Sequence, residues 1–140
     1  MTTNTTPSFP ASRRDPRQVA NTLKRTLNFN DTDIAQAGFA NALPQGAVIL
    51  AVQVEIITAF NAGTTNPITV GTNSTTFNNI ATSGDINAAA TGVNLPTRGF
   101  GQSIAAAADT PVFATYIPTG TAPTTGKALI TILFEGGNLS

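Results

Sequence analysis

The chain has 140 residues, enough for one domain with a substantial core, no net charge, and only 10% charged side chains against the ~25% of an average protein. So weak a surface field argues against polyanion recognition by the body and leaves little self-repulsion to oppose assembly. There is no Cys and no His, which excludes disulfides and thiolate metal sites and removes the commonest general base and zinc ligand.

Residues 1–17 read as an extended arm, because Pro7, Pro10 and Pro16 interrupt any helix or central strand. Its opening, Met1–Thr6, lacks the apolar stretch of a signal peptide. Arg13, Arg14, Arg17, Lys24 and Arg25 crowd into this end with Asp15 as the one acid. A basic arm thus precedes a mildly acidic body, residues 18–140. Residues 18–29 alternate, with Val19, Leu23, Leu27 and Phe29 on one side and Thr22, Lys24 and Thr26 on the other, although Asn21 and Arg25 spoil the apolar side. Asn30–Asp33 is a turn, with Asp33 placed to cap a short helical turn over Ile34–Asn41.

The strongest pattern follows a Pro44-Gln45-Gly46 turn. Even positions Val48, Leu50, Val52, Val54, Ile56 and Phe60 are apolar, with Thr58 the exception. Odd positions Ile49, Ala51, Gln53, Glu55, Ile57 and Ala59 are mixed. This predicts one long strand over residues 46–60 with its even face buried. About fourteen extended residues reach roughly 46–50 Å, a length suited to a large sandwich or to a strand that bends and serves two sheets.

Residues 61–67 form a loop and 68–70 a short strand. The stretch 71–109 is the least patterned, rich in Gly, Asn and Thr, with alanine-rich turns of helical type at 86–90 and 103–108. Strands close the chain at 111–117 and 127–135, the latter with Ala128, Ile130, Ile132 and Phe134 on one face. The Gly- and Pro-rich segment 118–126 reads as a hairpin loop between them. There is no internal repeat and no apolar run of about 18 residues that would span a membrane. The expected fold is all-β: an antiparallel β-sandwich of about eight strands, jelly-roll type, with an immunoglobulin-like sandwich as the alternative. Val52, Val54, Ile56, Ile130 and Ile132 are its expected core.

No catalytic, cofactor-binding or metal constellation is expected. Without His, a nucleophile would depend on Lys24, Lys127 or a carboxylate, and no Ser-x-x-Lys occurs. Glu55 reads as a strand residue, Asp31 and Asp33 as turn and capping residues rather than calcium ligands. Gly99-Phe100-Gly101 lacks the third glycine and the strand–helix context of a phosphate loop. Two interaction signals stand out. In the arm, Phe9 offers an apolar anchor and Arg13, Arg14 and Arg17 can fork onto a neighbour's carboxylates. On the outer side of the long strands, Ile49, Ala51, Ile57, Leu129 and Leu133 place apolar groups where a subunit interface would cover them, as in a homo-oligomer, a dimer ahead of a trimer. Three arginines without interleaved aromatics and a pI of 6.1 argue against nucleic acid, and no membrane or small-molecule partner is expected.

The order Leu43-Pro44-Gln45-Gly46-Ala47-Val48-Ile49-Leu50, then Val54–Asn61, then Asn66-Pro67-Ile68-Thr69-Val70-Gly71-Thr72, and finally Lys127–Glu135, resembles the cement (capsid decoration) proteins of tailed bacteriophages, that of a Bordetella phage foremost. The resemblance is best over residues 43–72 and 126–135. It implies a non-enzymatic jelly-roll protein on the outer surface of the virion that clamps neighbouring major capsid protein subunits. A tail-fibre or receptor- or carbohydrate-binding β-module is the rival, and one Tyr with no Trp speaks against sugar stacking.

Overall fold

A computed structural model of the chain describes residues 21–31 and 37–136; the arm, residues 1–17, lies outside them. Seven strands are present there: β1 (Asn21–Asn28), β2 (Ala37–Gly38), β3 (Val48–Thr58), β4 (Ile68–Gly71), β5 (Gly92–Asn94), β6 (Phe113–Tyr116) and β7 (Lys127–Glu135). One antiparallel sheet runs β1-β7-β3-β5 and a second runs β2-β6-β4. Val70 of β4 also makes an antiparallel bridge to Ala81. With that bridge counted as a reduced strand between β4 and β5, the sheets order as first, eighth, third, sixth and second, seventh, fourth, fifth. That is the pairing of a jelly roll, so the expected fold class holds. No α-helix occurs among the described residues.

Alternation builds the core. Val52, Val54 and Ile56 on β3, Ala128, Ile130, Ile132 and Phe134 on β7, and Leu23 and Leu27 on β1 all turn inward and are buried. Ile68, Val70, Ala114 and Tyr116 of the second sheet join the same cluster. Each fully buried Val, Leu or Ile contributes about 1.5–3 kcal/mol by leaving water. Phe60 packs on Tyr116 with ring centroids 4.5 Å apart, and the Tyr116 hydroxyl donates to Asn66 Oδ1 at 2.8 Å. Gly126 closes this corner. Its φ is +151°, and a Cβ there would stand 2.3 Å from the Phe60 ring, so no other residue fits.

Several expectations need correction. The long strand does not alternate without a break. Its register slips between Ile49 and Ala51, and again between Ile56 and Thr58, leaving Leu50 and Ile57 as extra, bulged residues. Before the first bulge the inward residues are the odd ones, so Ala47 and Ile49 are buried while Val48 and Leu50 are only half-buried. Ile49 is therefore a core residue opposite Phe134, not part of the outer face. β3 also stays within one sheet rather than serving two.

The segment 118–126 is no hairpin loop, because β6 and β7 lie in different sheets. It crosses between the sheets and zips instead onto the loop after β3. Gly63 N donates to Thr121 O, Thr64 N to Thr119 O and Thr119 N to Thr65 O. The expected helical turn over Ile34–Asn41 gives way to β2 at Ala37–Gly38, with residues 32–36 outside the described ones. Segments 86–90 and 103–108 are non-helical turns, and among the described residues the one helical turn is a 3-10 turn at Ser83–Asp85.

Candidate interaction surface

The two faces of the sandwich are finished differently. Over the second sheet, the loop 72–79 folds back so that Phe77 is buried and meets Phe113 edge-on at 5.0 Å. The outer face of the first sheet has no such cover among the described residues. Its register lines side chains up in rows: Thr22, Leu133 and Ala51; then Lys24, Thr131 and Gln53; then Thr26, Leu129, Glu55 and Val93. Leu129 and Leu133 are half-buried in the middle strand, and Ala51 is exposed. Ile57, pushed out by the second bulge, is 46% exposed. The structure thus brings Ala51, Leu129 and Leu133 together as the sequence suggested, sets Ile57 at one end of β3, and removes Ile49 to the core.

Sequence reasoning missed the most exposed part of this surface. Val93 is 56% exposed, Leu95 66% and Phe100 65%. All three follow the β5 edge of β3. Val93 pairs with Glu55, and farther on Gly101 N donates to Ile49 O at 2.8 Å while Ile49 N donates to Gln102 O at 3.2 Å. Within Gly99-Phe100-Gly101 the Gly101 amide thus binds β3 and the Phe100 amide donates to Thr97 O, so neither is free to cradle a phosphate. A three-residue strand gives no periodic signal. The local signal that exists is the run Val93-Asn94-Leu95, two large apolar residues flanking an Asn whose Nδ2 donates to Val54 O.

Charge is sparse. Glu55 is half-buried on this outer face and makes no ion pair or side-chain hydrogen bond among the described residues. Asp85 lies beside Arg98, 3.6 Å from its Nε. The backbone amide of Thr82 chiefly, then the Thr82 hydroxyl and Arg98, hold the Asp85 carboxyl below its ordinary range against a smaller upward push from burial. Burial pushes the Tyr116 hydroxyl up. Asp31 accepts from Asn28 N and Nδ2 at 2.9 and 3.3 Å, the turn role expected of it. No group of three or more His, Cys, Asp or Glu gathers among the described residues. A shallow polar depression of about 200 Å³ beside β5, lined by Asn87, Ala90, Thr91, Gly92, Val93 and Asn94, is smaller than the ~300–1,000 Å³ of ordinary ligand sites. Phe9, Arg13, Arg14 and Arg17 lie outside the described residues.

No family model and no curated protein matches the chain. Two solved structures share its fold. A chain of the cyanophage Pam1 capsid asymmetric unit superposes with a TM-score of 0.62 at 16% identity, over 82% of this chain and 83% of that one. A chain of the acid-stable capsid structure of Helicobacter pylori bacteriophage KHP30 superposes with a TM-score of 0.61 at 19% identity, over 84% and 88%. At these identities the likeness is one of fold.

Proposed function

We propose that this protein is a structural component of a bacteriophage virion, a decoration protein that sits on the outer surface of the capsid and stabilises it by bridging adjacent major capsid protein subunits. The observation that carries the reading is the jelly roll itself, matched over more than four-fifths of both partners by chains in two phage capsid structures. The resemblance of residues 43–72 and 126–135 to cement proteins supports the finer assignment.

The physics is mechanical. A nearly uncharged body with one open sheet face makes modest contacts, and repetition by capsid symmetry multiplies them into a firm hold. In this reading the arm, through Phe9, Arg13, Arg14 and Arg17, ties each copy to a neighbour in the shell. The outer face around Ala51, Leu129 and Leu133, with Ile57 at its end, is a subunit contact. No bond is made or broken in the process.

The test is electron cryo-microscopy of shells lacking the protein, before and after it is added, together with the temperature at which those shells burst. Added density on the exterior between capsid subunits and a higher bursting temperature are expected. Density confined to the tail or fibres would favour the fibre-module reading, and unchanged shells would refute the stabilising role.

A further inference from the structure

Four of the five large apolar side chains exposed among the described residues, Ile57, Val93, Leu95 and Phe100, lie along one flank of the first sheet. The flank follows β3 from Ile57 to Ile49, roughly 27 Å at about 3.4 Å per residue. Isolated exposed apolar residues need no explanation, but a strip of them beside a carboxylate with no ion pair does. Glu55 is that carboxylate, across from Val93. Of the other acids, Asp85 already faces Arg98, Asp109 accepts from Gln45 N, and Glu135 stands on β7 across from Val48, away from Val93 and Leu95.

We propose that this flank is the landing site for the N-terminal segment of a second copy of this chain, with Phe9 on the Leu95–Phe100 strip and the arm's guanidinium groups on Glu55. This rests on the reading of the arm as a docking segment. Two observations choose this occupant. The first is charge: the arm carries Arg13, Arg14 and Arg17 against Asp15 alone, and the flank offers an unpaired carboxylate within apolar surroundings, where a forked guanidinium is worth most. The second is length. An extended run from Phe9 to Arg14 spans roughly 17 Å, and the flank from Glu55 to Ile49, beside which Phe100 lies, spans roughly 20 Å. Phe9 and the arginines therefore reach the apolar strip and the carboxylate at once.

The path of the chain favours a second copy over the same one. Residues 1–20 join β1 at Asn21, which pairs with Phe134 at one end of the sheet, and β1 is the edge opposite β5. To reach its own flank the arm would reverse direction and cross three strand spacings of about 4.8 Å each. A neighbour's flank requires no reversal. Copies linked this way form a lateral network, which raises avidity for any surface they share.

The test uses the full chain with Phe9 replaced by the photo-crosslinker p-benzoylphenylalanine. Equal amounts of ¹⁵N-labelled and unlabelled protein are mixed, irradiated both free at high concentration and bound to shells, and digested for mass spectrometry. Cross-links of mixed isotope joining position 9 to residues 92–102 are expected. Links within one isotope only, links to other regions, or no links in either state would overturn the proposal. Leu95→Glu with Phe100→Glu changes two exposed side chains, so the melting temperature should hold while the mixed-isotope link is lost. Glu55→Arg should lower the link yield, and reversal of Arg13, Arg14 and Arg17 to Glu in the same chain should restore it. Undiminished yield in these variants would likewise overturn the proposal. Co-sedimentation with shells reads the proposed function separately: failure to bind shells with the mixed-isotope link intact counts against that function and leaves this inference standing.

Discussion

The two sheets of this sandwich reach order by different means. In the first, β1, β3 and β7 run for eight, eleven and nine residues, and alternation, interrupted in β3 by the bulges at Leu50 and Ile57, assigns side chains to the core or to the outside. In the second, the strands have two or four residues, and polar side chains from a loop take over work that a ladder would do. Asn73 Oδ1 accepts from Asn78 N and Asn79 N at 2.9 and 3.2 Å. Asn79 Oδ1 accepts from Thr72 N at 2.7 Å while its Nδ2 donates to Thr72 Oγ1 at 2.9 Å. The Thr69 and Thr115 hydroxyls bond to each other beneath this loop. Thr75 and Phe77 take positive φ values of 74° and 44°, conformations costly for residues with a Cβ and held by the surrounding hydrogen bonds. The sheet that needs this roof is sealed by it. The sheet built on long alternating strands is left open, and it is the open one that carries the candidate interaction surface.

The contrast can be broken from either side. The largest effect is expected at Ile130→Ala, which opens a cavity at the centre of the first sheet and should cost about 2–5 kcal/mol in denaturant unfolding. A cost below 1 kcal/mol would mean that the core lies elsewhere. Next is Asn73→Ala. It strips acceptors from the amides of Asn78 and Asn79 and should cost about 1–3 kcal/mol. Hydrogen exchange should quicken in residues 72–81 and stay unchanged in β3 and β7, and uniform loss of protection would show that the roof belongs to the global unit. Val54→Ala should cost about 1–3 kcal/mol through lost burial and a small cavity, whereas Gln53→Ala, one residue away on the open face, should stay within about 0.5 kcal/mol. Equal costs would mean that the outer face is covered.

The smallest expected effect sharpens the electrostatic side. Asp85 has a folded-state pKa below its ordinary 3.8, so the native state favours the ionised form. That stabilisation is present above the unfolded-state value and is lost as pH falls through the lower folded-state value. Asp85→Asn should therefore lower the melting temperature modestly at neutral pH, where the ionised form is favoured, and converge with the parent as pH falls below about 4, which flattens the acid limb. An unchanged acid limb would show that the Thr82 and Arg98 contacts do not favour the carboxylate.

Much of the first sheet was legible in the sequence because alternation is long-range evidence gathered from many residues. β7 emerged with the expected bounds, and Val52, Val54, Ile56, Ile130 and Ile132 were placed in the core. The face of Ile49 was misread because a bulge adds one residue and reverses the parity of everything before it, with no compositional mark at Leu50. The roof loop was illegible for another reason. Its order comes from side chains that meet only after β4 and the bridge at Ala81 have brought Thr72 and Asn79 together. The candidate surface divides in the same way. Ala51, Leu129 and Leu133 were read as outward from strand periodicity, while Val93, Leu95 and Phe100 belong to a three-residue strand and a loop whose position on β3 is set by pairing with Glu55 and Ile49.

The pairing of β1 with β7 has a consequence for how the protein is made. Asn28 faces Lys127 and Asn21 faces Phe134, so the first strand lacks its partner until β7 has been synthesised. The first sheet closes only once the ribosome has delivered β7, and contacts so distant in sequence close slowly, on the ms–s scale of all-β domains. Residues 1–20, ahead of β1, are therefore attached to a strand that has no ladder partner until β7 emerges. If residues 1–17 dock on a second copy as proposed, docking-competent copies arise with complete folding rather than ahead of it.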